Sequence, residues 1–112
     1  MIGGMELGSD GRMLPDAALA GAAHAGDVDA WNALVDRHAQ MVWTMACREG
    51  LDERQAAEVS RLTWLRCLDH LDELTLGGAR DWLSTTAAIE AARVRRSNAV
   101  HRSAIDGEAA TA

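Results

Sequence analysis

Histidine, cysteine, hydroxyl and carboxylate side chains are the ones that could break bonds or hold a metal, and their spacing along this chain brings few of them together. His24, His38, His70 and His101 fall in four different segments. Asp69 precedes His70 directly, but neighbours on a helix point about 100° apart and do not form a side-by-side pair. A zinc site would require His38, Cys47, Cys67 and His70 to converge in three dimensions. Only Cys67 and His70 approach the close ligand spacing that structural zinc sites show. The simpler reading makes His38 a member of an apolar stripe with a satisfied ring nitrogen, and the two cysteines buried free thiols. Ser84, Thr85 and Thr86 cluster hydroxyls without an adjacent base. The pattern points to no enzyme, no metal and no cofactor.

What remains is recognition chemistry, and it concentrates in two places. The first is the stretch Glu58 to Leu71, EVSRLTWLRCLDHL. On a helix, Trp64, Leu68 and Leu71 gather with Ala57 on one side, which reads as core. Glu58, Arg61, Leu62, Leu65 and Asp69 gather on a neighbouring side. That second face mixes leucines with charges of both signs and reads as a docking surface; a wide apolar stripe with a solvated edge is the alternative. The second place is the trio Arg93, Arg95 and Arg96. Arg93 and Arg96 share a face, so two arginines at most can grip one phosphate-sized target. A solvated helix end explains the trio equally well.

The charge balance limits what these surfaces bind. The formal net charge is −6, which disfavours tight nucleic-acid binding by the whole chain. The distribution is uneven. Residues 1–79 carry six arginines against thirteen carboxylates, whereas residues 80–102 carry five arginines against Asp81 and Glu90. Any DNA contact belongs at that end. The opening MIGGMELGSDGR has neither a basic nor an apolar signal region, and no apolar run approaches the roughly 20 residues that span a bilayer. A cytoplasmic protein with no membrane partner is expected.

The elements that must position these residues are helices. At 112 residues, 48% hydrophobic and 25% charged, the chain suits one domain with one modest core. Residues 1–14 read as a flexible lead-in, residues 15–97 as the helical domain and residues 98–112 as a loose tail. Pro15 opens a short helix that Gly26 stops. Asp27 caps a second helix, whose stripe takes in Trp31, Leu34, Val35, His38, Val42, Met45 and Ala46 and which ends at Gly50. Asp52 caps a third helix that carries the docking stretch and fades at Leu74. A fourth runs from Asp81 to about Ser97, with Trp82, Leu83 and Ala91 inward. Four tryptophans, Trp31, Trp43, Trp64 and Trp82, stand one per segment with no phenylalanine or tyrosine, as if each helix lent one bulky anchor to a shared core. The expected fold is all-α, a small bundle of three main helices plus a short N-terminal one.

Three segments in order, GDVDAWNALVDRHAQMVWTMA, EVSRLTWLRCLDHLDEL and DWLSTTAAIEAARVRRS, resemble region 2 of the sigma-70 family, closest to the compact extracytoplasmic-function group. The matching positions are Gly26, Asp27, Ala30, Trp31, Leu34, Val35, Arg37 and His38, then Glu58, Val59, Arg61, Leu62, Trp64, Leu65 and Arg66. The third set is Trp82, Leu83, Thr85, Thr86, Ala87, Arg93, Arg95 and Arg96. The resemblance implies a helix that docks on the beta-prime clamp of the RNA polymerase core, with Glu58, Arg61, Leu62, Leu65 and Arg66 facing polymerase. It also implies a loop at Leu74 to Arg80 and a last helix that approach promoter DNA at the minus-ten element, through Arg80, Trp82, Arg93 and Arg96.

The departures from that family are specific. Arg61 and Leu62 stand where the family has Gln-Glu, which reverses a charge and removes an acceptor. Ala88 and Ile89 replace the usual basic pair early in the last helix. The loop TLGGA is short and lacks the charged residues and proline common in the group, and no helix-turn-helix for the minus-thirty-five element follows. Transcription regulation through a sigma region 2-like domain is therefore the first expectation. The second is a helical interaction module that binds a regulatory protein or a second copy of itself without reading promoters.

Overall fold

A computed structural model of the chain describes residues 14–111, with side chains to residue 100. Among the described residues five helices follow one another: α1 (Asp16–His24), α2 (Val28–Cys47), α3 (Glu53–Asp69), the single turn α4 (Leu71–Leu74) and α5 (Ala79–Thr111). There is no strand among the described residues, and the fold is a small all-α bundle. The expected flexible lead-in lies, but for Leu14, outside the described residues. No helix among them is long and apolar enough to cross a membrane.

The helix starts follow local chemistry. The Asp27 carboxylate accepts from the Ala30 amide at 3.1 Å, occupying one of the amides the first turn of α2 leaves unbonded. At α3 the pairing is reciprocal. Asp52 Oδ1 accepts from the Gln55 amide at 2.8 Å while Gln55 Oε1 accepts from the Asp52 amide at 3.2 Å, a complete capping box.

Three boundaries differ from the sequence expectation, two for a packing reason and one for local helix propensity. The third helix does not run on to Leu74. It breaks at His70, whose backbone leaves helical geometry (φ −121°, ψ 17°) while its Nδ1 donates to the Arg66 carbonyl at 2.7 Å. The break turns Leu71 and Leu74 into the core against α1, where both are buried. The last helix begins at Ala79, two residues early, because Ala79 is itself buried and the Trp82 amide bonds back to the Gly78 carbonyl at 2.9 Å. Gly77 and Gly78, at φ 103° and 79°, occupy the left-handed region that lets the chain reverse between α4 and α5. The same helix passes Ser97 and stays helical to Thr111. No proline interrupts that segment, and its alanines favour helix.

The core is built from small and aliphatic side chains. Leu19 and Ala20 of α1, Ala30, Leu34 and Val42 of α2, Cys67 of α3, Leu71 and Leu74 of α4, and Ala79, Leu83 and Ala87 of α5 form one buried cluster. Ala46, Ala56, Val59 and Ala91 form a second where α2, α3 and α5 meet. The tryptophans do not anchor the centre as expected. All four are half-buried at the cluster margins, since alanine-lined helix contacts draw the backbones too close to admit an indole.

Candidate docking face and arginine cluster

The buried stripe of α3 is Ala56, Val59, Thr63 and Cys67, at steps of three and four. It lies about a quarter-turn from the expected core face, so Ala57 and Leu68 are exposed and Trp64 is half-buried. Thr63 accounts for the difference. Its hydroxyl donates to the Val59 carbonyl at 2.8 Å, which satisfies the polar group inside the helix and lets a residue that reads as surface sit in the core.

The rotation brings Arg61, Trp64, Leu65 and Leu68 together on the side of α3 next to α2. With Trp31 and Val35 of α2 they line an open groove of about 360 Å³. Trp31 and Trp64 meet edge to face, ring centres 5.9 Å apart and planes at 89°, the arrangement the ring quadrupoles favour. Leu65 and Leu68 are 45% and 46% exposed, a large apolar surface for two adjacent turns of one helix. Glu58 and Arg61 pair across one turn in a fork, Nε to Oε1 at 3.1 Å and Nη2 to Oε2 at 2.7 Å. The guanidinium holds the Glu58 carboxyl below its ordinary range, chiefly by hydrogen bonding, and the carboxylate raises Arg61 in turn.

Of the five residues proposed to face polymerase, Glu58, Arg61 and Leu65 thus share the exposed side. Leu62 is half-buried. Arg66 lies on the other flank, its Nε 2.7 Å from Glu90 Oε2 on α5. The groove also contains four residues not assigned to it from sequence: Trp31, Val35, Trp64 and Leu68. Leu68 carried a usable signal, since Arg61, Trp64, Leu65 and Leu68 follow an i, i+3, i+4, i+7 pattern.

The four residues proposed to contact DNA are not brought to one point. Arg80 and Arg96 are exposed and make no ion pair among the described residues. Trp82 is half-buried against the His70 ring at 5.3 Å. Arg93 Nη1 bonds Glu90 Oε2 at 3.1 Å, and Arg95, from the same trio, bonds Glu49 at 2.9 Å. In the Leu74 to Arg80 segment, Leu74 and Ala79 are core while Leu76 is 91% exposed at the turn.

The buried polar residues His38, Thr63 and Glu90 each have a partner within the bundle, while the buried Ser60 hydroxyl has none. His38 is buried with Nε2 2.8 Å from Asp16 Oδ2, and Arg37 reaches the other oxygen at 2.9 Å, so this carboxylate fastens α1 to α2. The second ring nitrogen of His38 has no hydrogen-bond partner in the structure. Burial pushes the Cys67 thiol up to about 12, while Cys47 is exposed. Among the described residues no three His, Cys, Asp or Glu side chains converge as a metal ion would require.

No known protein family, no curated protein and no solved structure matches this chain.

Proposed function

We propose that this domain regulates transcription in the cytoplasm by docking α3 on the beta-prime clamp of RNA polymerase, the role its resemblance to sigma region 2 implies. The observation that supports this most directly is the strip Glu58, Arg61, Leu65 and Leu68 beside the Trp31–Trp64 groove. It offers the apolar centre and polar rim of a protein interface, with aromatic anchors already in place. The reading invokes recognition only, with no chemical step.

The test is co-purification with the polymerase core. Leu65→Glu places a carboxylate in the groove at a half-exposed position and is expected to abolish retention while leaving helicity and melting temperature nearly unchanged. Retention of the Leu65→Glu chain at wild-type level would refute docking by this face.

A second reading is favoured by a specific observation. Arg66, Arg93 and Arg95 are each tied to a carboxylate of this chain, leaving Arg80 and Arg96, among the residues with described side chains, as the cations of the α5 side with no ion pair. That supports an interaction module without promoter recognition, which binds a regulatory protein or a second copy. Retention on polymerase together with negligible affinity for a minus-ten-like single strand would leave docking and remove promoter reading from the proposal.

A further inference from the structure

Among the described residues Glu90 is the one carboxylate side chain that is buried, at 6% exposure, and two guanidiniums converge on a single oxygen of it. Arg66 Nε approaches Oε2 from α3 at 2.7 Å, and Arg93 Nη1 approaches the same atom from α5 at 3.1 Å. Both arginines are about half exposed, 47% and 54%. Two cations held this close repel one another unless an anion lies between them. A phosphate oxygen presents the same demand: a charged acceptor that two guanidinium groups can share. Glu90 therefore stands where an oxygen of an outside anion would sit.

The burial of Glu90 decides whether an outside phosphate can displace it. Were Arg66 and Arg93 to turn outward, a desolvated carboxylate would be left without a counter-charge, among the costliest states a protein interior can hold. Glu49, the partner of Arg95, is 33% exposed, and water can replace the arginine there. The two contacts thus differ in kind: Arg95 is releasable, whereas Arg66 and Arg93 are not. Arg96, three residues beyond Arg93 on the same helix, is exposed and makes no ion pair.

We propose that Glu90 is an internal phosphate surrogate that silences a polyanion-binding site made of Arg66 and Arg93, with Arg96 at its edge. The ligand class is a phosphate-bearing polyanion, and a single-stranded oligonucleotide is its probe. Removing the Glu90 charge frees both arginines and unmasks the site. This inference does not depend on polymerase docking, and its test uses no polymerase, so either proposal can fail alone.

The test measures binding of a labelled single-stranded oligonucleotide as a function of salt, for the native chain, Arg93→Ala, Glu90→Gln and the double variant. In the native background Arg93→Ala is expected to leave affinity and salt slope unchanged, because that arginine is already engaged. Glu90→Gln is expected to bind more tightly, by about fivefold per added phosphate contact at 0.1 M salt and about 25-fold for two, with a log–log slope steeper by about 1.4. Adding Arg93→Ala to Glu90→Gln should remove roughly half of the added slope. Should Glu90→Gln fail to fold, Glu90→Met, an apolar replacement of similar length, carries the same expectation. Weaker binding and a shallower slope for Arg93→Ala alone would overturn the proposal. So would a folded Glu90 variant with native affinity.

Discussion

Cys47 and Cys67 are the same residue type on neighbouring helices, and their environments give them opposite chemistry. Cys67 sits wholly inside the α3 stripe, and burial raises its thiol from an ordinary 9.0 to about 12. Well below pH 9 it is mostly protonated in both folded and unfolded chains, with a reactive thiolate fraction at pH 8 only in the unfolded one. Between about pH 9 and 12 the unfolded chain gains thiolate while the folded chain does not, so the stabilisation from keeping this thiol neutral is lost as pH rises through that interval. Since the thiolate is the nucleophile, an alkylating reagent at pH 8 is expected to label one thiol, Cys47, in the native protein and two in denaturant. Rapid native labelling of both would show α3 opening far more often than its packing allows. The cysteines' sequence context suggested two buried thiols; Cys67 is one and Cys47 is exposed.

At the scale of elements, what the sequence made legible was whatever a few adjacent residues decide. Asp27 and Asp52 cap α2 and α3 as their positions implied, because capping needs only a carboxylate and amides three residues away. Asp52→Ala removes the acceptor and undoes the reciprocal bond from Gln55, and is expected to cost about 1 kcal/mol. For a domain of this size that is a fall of roughly 4–8 °C in melting temperature, read by circular dichroism, with Asp52→Asn recovering most of it. An unchanged melting point would mean the first turn of α3 is held by packing alone. Features that depend on distant partners were less legible. The face of α3 turned on Thr63, polar in type yet buried through its bond to the Val59 carbonyl. The break at His70 exists because Leu71 and Leu74 reach α1, a contact about fifty residues away along the chain. The candidate site shares this division. Glu58, Arg61 and Leu65 were visible as an exposed strip, but the groove beside them needs Trp31 and Val35 from α2, and only tertiary packing sets that pair against Trp64.

For the molecule as a whole, charge and apolar surface are separated, and the separation predicts how each kind of binding responds to salt. The chain carries a net charge of −6, and its arginine-rich helix is partly neutralised by Glu49 and Glu90. The groove between α2 and α3 is apolar apart from Arg61, which already holds Glu58. At about 0.5 M salt the Debye length falls to roughly 4 Å, so attraction between separated surface charges is largely screened while apolar burial is not weakened. Docking through Trp31, Trp64, Leu65 and Leu68 should therefore survive an increase from about 0.1 to 0.5 M sodium chloride with less than a threefold loss of affinity. Single-strand binding through Arg80 and Arg96, the two arginines without an ion pair among the residues with described side chains, should fall with a log–log slope near −1.4 over the same range. Both are measurable on one preparation by titrating labelled protein with polymerase core, then with oligonucleotide. If docking collapses at high salt, the Glu58–Arg61 pair rather than the tryptophan groove governs it, and Leu65→Glu will prove the milder of the two disruptions. A slope steeper than about −3 for the oligonucleotide would mean that four or more arginines reach phosphate, more than Arg80, Arg96 and the releasable Arg95 supply among the residues with described side chains.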